Sequence, residues 1–169
     1  MLTDSWSSSL ETVMTPMTVP AWGSFATGKR SGKHGCYDFV VPDGSLTDLR
    51  PVSGNDLTAD TFYKVLAEED QNVALINLPT TCPSRLSGDD GNIVITRGDN
   101  FVNPSELVDE ISALEDYKLS PTKAEKSERE YLNHIRDLES TRFDCGRQIY
   151  DRKEWDLFLS YQWNRLDST

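Results

Sequence analysis

Thr61-Phe62-Tyr63-Lys64-Val65-Leu66-Ala67-Glu68-Glu69, then Val73-Ala74-Leu75-Ile76-Asn77-Leu78-Pro79, is the stretch that decides the fold class. Phe62, Val65 and Leu66 fall on one side of a helix, and Asp60 or Thr58 stands where its cap belongs. Val73 to Leu78 is apolar except for Asn77, and Pro79 stops it. A strand without polar alternation is covered on both faces, and a helix leading directly into such a strand is the mark of a parallel α/β sheet.

Toward the C-terminus, Asn92 to Thr96 reads as a short strand and Pro104 to Leu114 as a helix that Asn103 or Pro104 opens. Ser120-Pro121 opens a charged segment from Thr122 to Arg152, in which Tyr131, Ile135, Leu138 and Arg142 keep helical spacing and the charges form a solvated face. Trp155 to Tyr161 reads as a further strand. Toward the N-terminus, residues 40 to 53 are rich in turn formers, including Pro42-Asp43-Gly44. The first dozen residues are polar, with Ser7, Ser8 and Ser9 in a row, and bring no opening apolar strand. The expected organisation is a core over residues 1–115, a charged helical segment over 116–153, and a strand over 154–169 that returns to the core.

Composition narrows the function. The 169 residues suffice for one domain, and 17 Lys+Arg against 28 Asp+Glu give a net charge of -11. That field repels a phosphate backbone and an anionic bilayer, so neither nucleic-acid polymers nor membranes are expected partners. It suits solubility in concentrated salt, where self-repulsion is screened, and a halophilic source is the corresponding expectation. Thermal stability is then expected to rise from about 0.1 M to about 2 M salt, and a melting temperature that stays flat contradicts it. No apolar run reaches the roughly 20 residues of a membrane span, and Met1 to Ser9 lack the basic and apolar regions of a signal peptide. Cys36, Cys82 and Cys145 form no close-spaced pair, which fits a reducing cytoplasm with thiols acting as small apolar residues.

The chemistry concentrates in Thr18-Val19-Pro20-Ala21-Trp22-Gly23-Ser24-Phe25-Ala26-Thr27-Gly28. Thr18 reads as an N-cap with Pro20 in the first turn, Trp22, Phe25 and Ala26 on one face, and Gly28 as the stop. A hydroxyl at a helix N-terminus lies beside unpaired N–H groups and the positive end of the helix dipole, a place that suits phosphate. Lys29 to Gly35 reads as a basic loop, with His34 in a loop-capping or surface role. Ser24 and Thr27 read as packing or helix-surface hydroxyls, and His134 as a solvated residue of the charged helix.

The run from Thr18 through Gly28 to Gly32-Lys33-His34-Gly35 closely resembles the nucleophile segment of type I phosphodiesterase/nucleotide pyrophosphatases, of the alkaline phosphatase superfamily. In that family a Thr-x-Pro motif carries the nucleophile, and a Thr-Gly and a His-Gly follow at this spacing. The resemblance continues through Tyr37-Asp38-Phe39, Leu49-Arg50-Pro51-Val52 and Asn77-Leu78-Pro79-Thr80-Thr81-Cys82-Pro83. It implies a partial alkaline-phosphatase-like core, a parallel sheet flanked by helices. It also implies a metal-dependent hydrolase of phosphodiester or nucleotide pyrophosphate bonds that acts on a nucleotide-like small molecule.

Thr18 would be the catalytic nucleophile and a ligand of one of two divalent metals, usually zinc, and Asp167 a second metal ligand. An Asn that contacts phosphate in the family falls at Phe39, with Asp38 beside it. The remaining ligands are expected outside this sequence, so that the chain reads as truncated at both ends, inactive by itself, and prone to associate through an exposed sheet edge. The alternatives are an inactive remnant, or a relative acting on other phosphate, phosphonate or sulfate esters.

Overall fold

Val73–Ile76 (β3) is the axis of the molecule, each of its residues at most 1% exposed. The computed structural model describes residues 8–14, 16–45, 47–86, 91–96, 101–115, 117 and 127–161. In these, β3 pairs in parallel with Ile93–Ile95 (β4) on one side and with Leu157–Ser160 (β6) on the other. Val102–Asn103 (β5) adds to β4 in the antiparallel sense, giving the order β5-β4-β3-β6.

Side-chain alternation sends the two halves of the apolar run to opposite faces. Ala74 and Ile76, with Ile93 and Ile95, pack against Leu107, Ile111, Leu114, Cys145 and Ile149. Val73 and Leu75, with Val94, pack against Ala26 and Tyr63. Helices thus cover both faces, which is why the strand carries no polar alternation. The fold is the α/β core that the sequence implied.

The helix before β3 (α3) spans Phe62–Glu68, capped by Thr61, whose hydroxyl accepts the Lys64 N–H at 3.4 Å. Neither Asp60 nor Thr58 caps it. Asp60 instead takes the Lys64 ammonium at 2.6 Å, and the Thr58 hydroxyl donates to Lys33 O. The expected helix over Pro104–Leu114 is two pieces, Leu107–Glu110 (α4) and a 3-10 turn over Ser112–Leu114. Ile111 between them is extended and 1% exposed, a β-branched residue leaving the helical region to fill the core. The charged helix (α5) runs over Glu128–Tyr150, opened by a Ser127–Glu130 capping box. It buries Leu138, Arg142, Cys145, Gly146 and Ile149, and Gly146 admits Ile76 Cδ1 to within ordinary contact of where a Cβ would stand. Arg142 enters this face paired to Glu139 at 2.6 Å.

The turn-rich region before α3 is more ordered than its composition suggests. Val40–Pro42 (β1) and Leu49–Pro51 (β2) form an antiparallel hairpin. Its anchor is Arg50, whose guanidinium grips both oxygens of Asp56 at 2.8 and 2.6 Å, while Asp56 also accepts the Ser53 N–H and hydroxyl. The Arg50 fork holds the Asp56 carboxyl well below the usual carboxylate range. A depressed folded-state pKa contributes stability that is present above the unfolded value of about 3.9 and is lost as the pH falls through the folded value. The melting-temperature gap between wild type and Asp56→Asn is therefore expected to be full at neutral pH and to narrow as the pH drops below about 4. A gap that stays constant to the acid limit contradicts this anchor.

All three cysteines are free. Cys36 and Cys145 are 0% exposed, and burial pushes the Cys145 thiol up to about 12. Burial raises the Cys36 thiol as well, with the Asp56 charge adding to it. Cys82 is half-buried. Alkylation of the native protein, followed by peptide mass mapping, is expected to mark Cys82 first and the other two only on unfolding. Early labelling of Cys145 contradicts the packing of α5 on the sheet. No helix of the described residues is long and apolar enough to cross a membrane.

Candidate active site

The sheet order creates a switch point. From β3 the chain moves to β4 on one side, and only after α5 does it return as β6 on the other. In open α/β sheets ligands bind in the crevice beyond the carboxyl ends of strands that diverge in this way. Beyond β3 that position belongs to Asn77, and beyond β6 to Tyr161. The two are joined: Asn77 Nδ2 donates to Tyr161 O at 3.2 Å, and Tyr161 N–H donates to Ile76 O at 2.9 Å.

Asn77 holds φ +58, a left-handed conformation that Asn tolerates better than most residues, and Thr80 follows at +65. This turn is tied from outside by Gly54, whose N–H donates to Cys82 O at 2.6 Å. A Cβ on Gly54 would stand 2.9 Å from Pro83 O, so the approach requires glycine. Asn77 is 7% exposed, and its Oδ1 has no hydrogen-bond partner.

The first helix (α1), Thr18–Thr27, meets this crevice through Trp22, whose ring packs edge-on against Tyr161 at 5.2 Å. Further along, Phe25 packs on Phe62 at the start of α3, and Ala26 enters the core shared with Val73 and Leu75. The two ring contacts fasten the helix to the end of β6 and to α3. Thr18, one turn before Trp22 and about 6 Å back along the axis, is exposed.

Thr18 is the first residue of the helix and not its cap. Met17 takes the cap position with extended backbone and makes no side-chain bond. The first intrahelical bond is Ala21 N–H to Met17 O, and Pro20 brings no N–H. The Thr18 and Val19 N–H groups thus point out of an uncapped turn beside the Thr18 hydroxyl. At the far end Gly28 closes the helix as expected, with φ +64 and its N–H on Ser24 O. Trp22 and Ala26 lie on the inner side as read, whereas Phe25 is 53% exposed.

His34 departs from its expected loop-capping or surface role. Ser31–His34 is a helical turn (α2) within the supposed basic loop, and His34 is 0% exposed. Cys36 N–H donates to its Nδ1 at 3.2 Å, so the neutral ring carries its proton on Nε2, 3.0 Å from Ser24 Oγ. Burial holds the ring below the ordinary histidine range. Its face lies on Gly23, where a Cβ would come within 2.8 Å of Cε1. His34 is a structural pin between α1 and α2, and the resembling His-Gly motif is explained by that packing. Ser24 is its partner, and the Thr27 hydroxyl donates to Gly23 O at 2.7 Å.

Lys29, Arg30 and Lys33 are exposed. Asp38 accepts the Phe39 N–H at 2.6 Å, and Phe39 is 48% exposed. His134 is half-buried, with an Nε2 that has no partner, and so is not the solvated residue expected. Asp167 lies outside the described residues.

The sequence model of the type I phosphodiesterase / nucleotide pyrophosphatase family matches residues 1–167. The chain belongs to that family. No curated protein and no solved structure matches it. Membership assigns it to phosphodiesterase/nucleotide pyrophosphatase-type hydrolases, a family that is generally metal-dependent.

Sequence reading missed Asn77, Tyr161 and Gly23. Asn77 carried a signal, since a lone Asn closing an apolar strand suits a left-handed turn. Gly23 carried none, because its reason is a ring 11 positions further along the chain.

Proposed function

We propose that the chain serves hydrolysis of phosphodiester or nucleotide pyrophosphate bonds, with Thr18 as the nucleophile. The observation that supports this reading is the exposed Thr18 hydroxyl on the uncapped first turn of α1, the helix whose Trp22 packs on Tyr161 beyond β6. The Thr18 and Val19 N–H groups and the helix dipole favour the phosphoryl oxygens. Thr18 Oγ attacks phosphorus, the bond to the leaving alcohol or nucleotide breaks, and a phosphothreonyl ester remains. Water then attacks the same phosphorus and restores the Thr18 hydroxyl. The net charge of -11 disfavours polymeric nucleic acid and leaves a small phosphodiester or nucleotide as the substrate class.

Two divalent metals, zinc by resemblance, belong to this reading of the family. Among the described residues, no group of three or more His, Cys, Asp or Glu is placed to hold one. The described residues therefore do not by themselves fit such a centre, which needs three or four protein ligands. The steps above rest on Thr18 and backbone N–H groups. The test is release of nitrophenol from a chromogenic phosphodiester by the zinc-supplemented chain. Hydrolysis that disappears in Thr18→Ala supports the reading, and hydrolysis that survives it overturns the assignment.

A further inference from the structure

The opposite edge of the sheet holds a pocket of about 280 Å³, lined among others by Asn92, Pro104, Arg152, Lys153 and Trp155. Gly91 and Asn92 of its lining precede β4, and Lys153 and Trp155 precede β6. It therefore lies at the amino ends, away from Thr18.

Two groups in this pocket are unbalanced. Asn92 is 1% exposed; its Oδ1 accepts the Val73 N–H at 3.0 Å, but its Nδ2 donor has no partner. A buried amide left unsatisfied is destabilising. Lys153, half-buried, donates to Asn72 Oδ1 at 2.7 Å and Gly91 O at 2.5 Å, and its ammonium lies over the Trp155 ring at 4.6 Å. No carboxylate of the described residues comes within ion-pair distance of it. Asp156 acts on it through space but is itself occupied by the Asn72 N–H at 2.9 Å. Burial accordingly holds the ammonium below the ordinary lysine range. Arg152 adds a second cation, paired to Glu110 on its outer side. In a chain with 11 excess negative charges, a desolvated cation with no counter-ion among the described residues, beside an unused amide donor, is a local exception.

Gly91 maintains the arrangement. Its φ is +76, and a Cβ there would stand 2.9 Å from Lys153 Nζ. The free donors are cationic or amide N–H, which selects an acceptor-only ligand, and the volume is just under the range of pockets that take drug-sized molecules, about 300–1,000 Å³.

We propose that this pocket is a binding site for a small oxyanion of the phosphate type, held by Lys153, Arg152 and the Asn92 amide, either as free phosphate or as the phosphate end of a small metabolite. The site is separate from the crevice at Thr18 and does not depend on the reading of that residue.

The test is titration of the full chain with inorganic phosphate at constant ionic strength, followed by amide NMR. Saturable shifts at the Asn92 side-chain amide and the Gly91 N–H, absent with chloride, are expected. Lys153→Gln is expected to weaken binding about tenfold or more. Asn92→Asp, which keeps the bond to Val73 but replaces the donor by an acceptor, is expected to do the same, whereas Thr18→Ala leaves the shifts unchanged. Adenosine 5′-monophosphate distinguishes the sources. Binding tighter than phosphate identifies a phosphorylated metabolite whose organic part contacts Trp155, and equal binding identifies the free oxyanion. Shifts that follow ionic strength alone in the wild-type chain, or unweakened binding in both folded variants, overturn the proposal.

Discussion

Thr18→Ala is expected to lower phosphodiester hydrolysis by about a thousandfold or more while leaving the melting temperature within about 1 °C of wild type. The two halves of this expectation come from different observations. The loss in rate follows because alanine has no group that can form the phosphothreonyl ester, so the two-step route closes. The unchanged stability follows because the Thr18 side chain is exposed and makes no capping bond; Met17 holds the cap position. Had Thr18 been the N-cap, its removal would cost about 1 kcal/mol, and lost activity would be confounded with a frayed helix. Thr18→Ser, which keeps the hydroxyl, is expected to retain a measurable fraction of the rate. Steady-state kinetics and thermal melts on the same preparations check both halves.

The largest effect on stability is expected at Gly23→Ala. Alanine ordinarily gains about 1 kcal/mol over glycine inside a helix. Here the added Cβ would lie 2.8 Å from His34 Cε1 and 3.0 Å from Nδ1, closer than atoms approach without displacement. The ring has no room to yield, being fully buried and held at both nitrogens by Cys36 N–H and Ser24 Oγ. Overpacking of this kind costs about 1–3 kcal/mol, and displacing the ring forfeits two hydrogen bonds of about 1 kcal/mol each. The penalty outweighs the helical gain by about 2–4 kcal/mol, which corresponds to a fall of about 4–16 °C in melting temperature for a chain of this length. The double variant Gly23→Ala/His34→Ala is expected to recover part of that loss relative to the sum of the single changes, because the clash and the bonds share one ring. Strict additivity contradicts the direct contact.

What could be read in the sequence divides according to the range of the interactions. The buried strand Val73–Ile76 and the helix before it were legible because burial on both faces leaves a local record, an apolar run without alternation. Gly28 was legible as a helix stop because a left-handed residue is a local demand. The cap of α3 was misplaced by one residue: Asp60 and Thr61 are both good caps, and a tertiary detail, the Lys64 ammonium on Asp60, leaves Thr61 to the helix. His34 was read as a loop residue because nothing nearby shows that a glycine in the preceding helix opens a slot for its ring. The β1–β2 hairpin reads as turns because its cohesion comes from Arg50 on Asp56 and not from an apolar alternation.

The site follows the same division. The Thr18 motif is a contiguous stretch and was legible as such. What its helix meets is not legible in the stretch itself: Trp22 and Tyr161 come together only when β6 returns beside β3.

The most direct measurement is peptide mass mapping of the chain after acid quench of a reaction with a chromogenic phosphodiester in the presence of zinc. The account predicts a phosphoryl adduct on the peptide that carries Thr18, located on that side chain by fragmentation and absent from Thr18→Ala. Turnover with no adduct at Thr18, or an adduct on another residue, would contradict it.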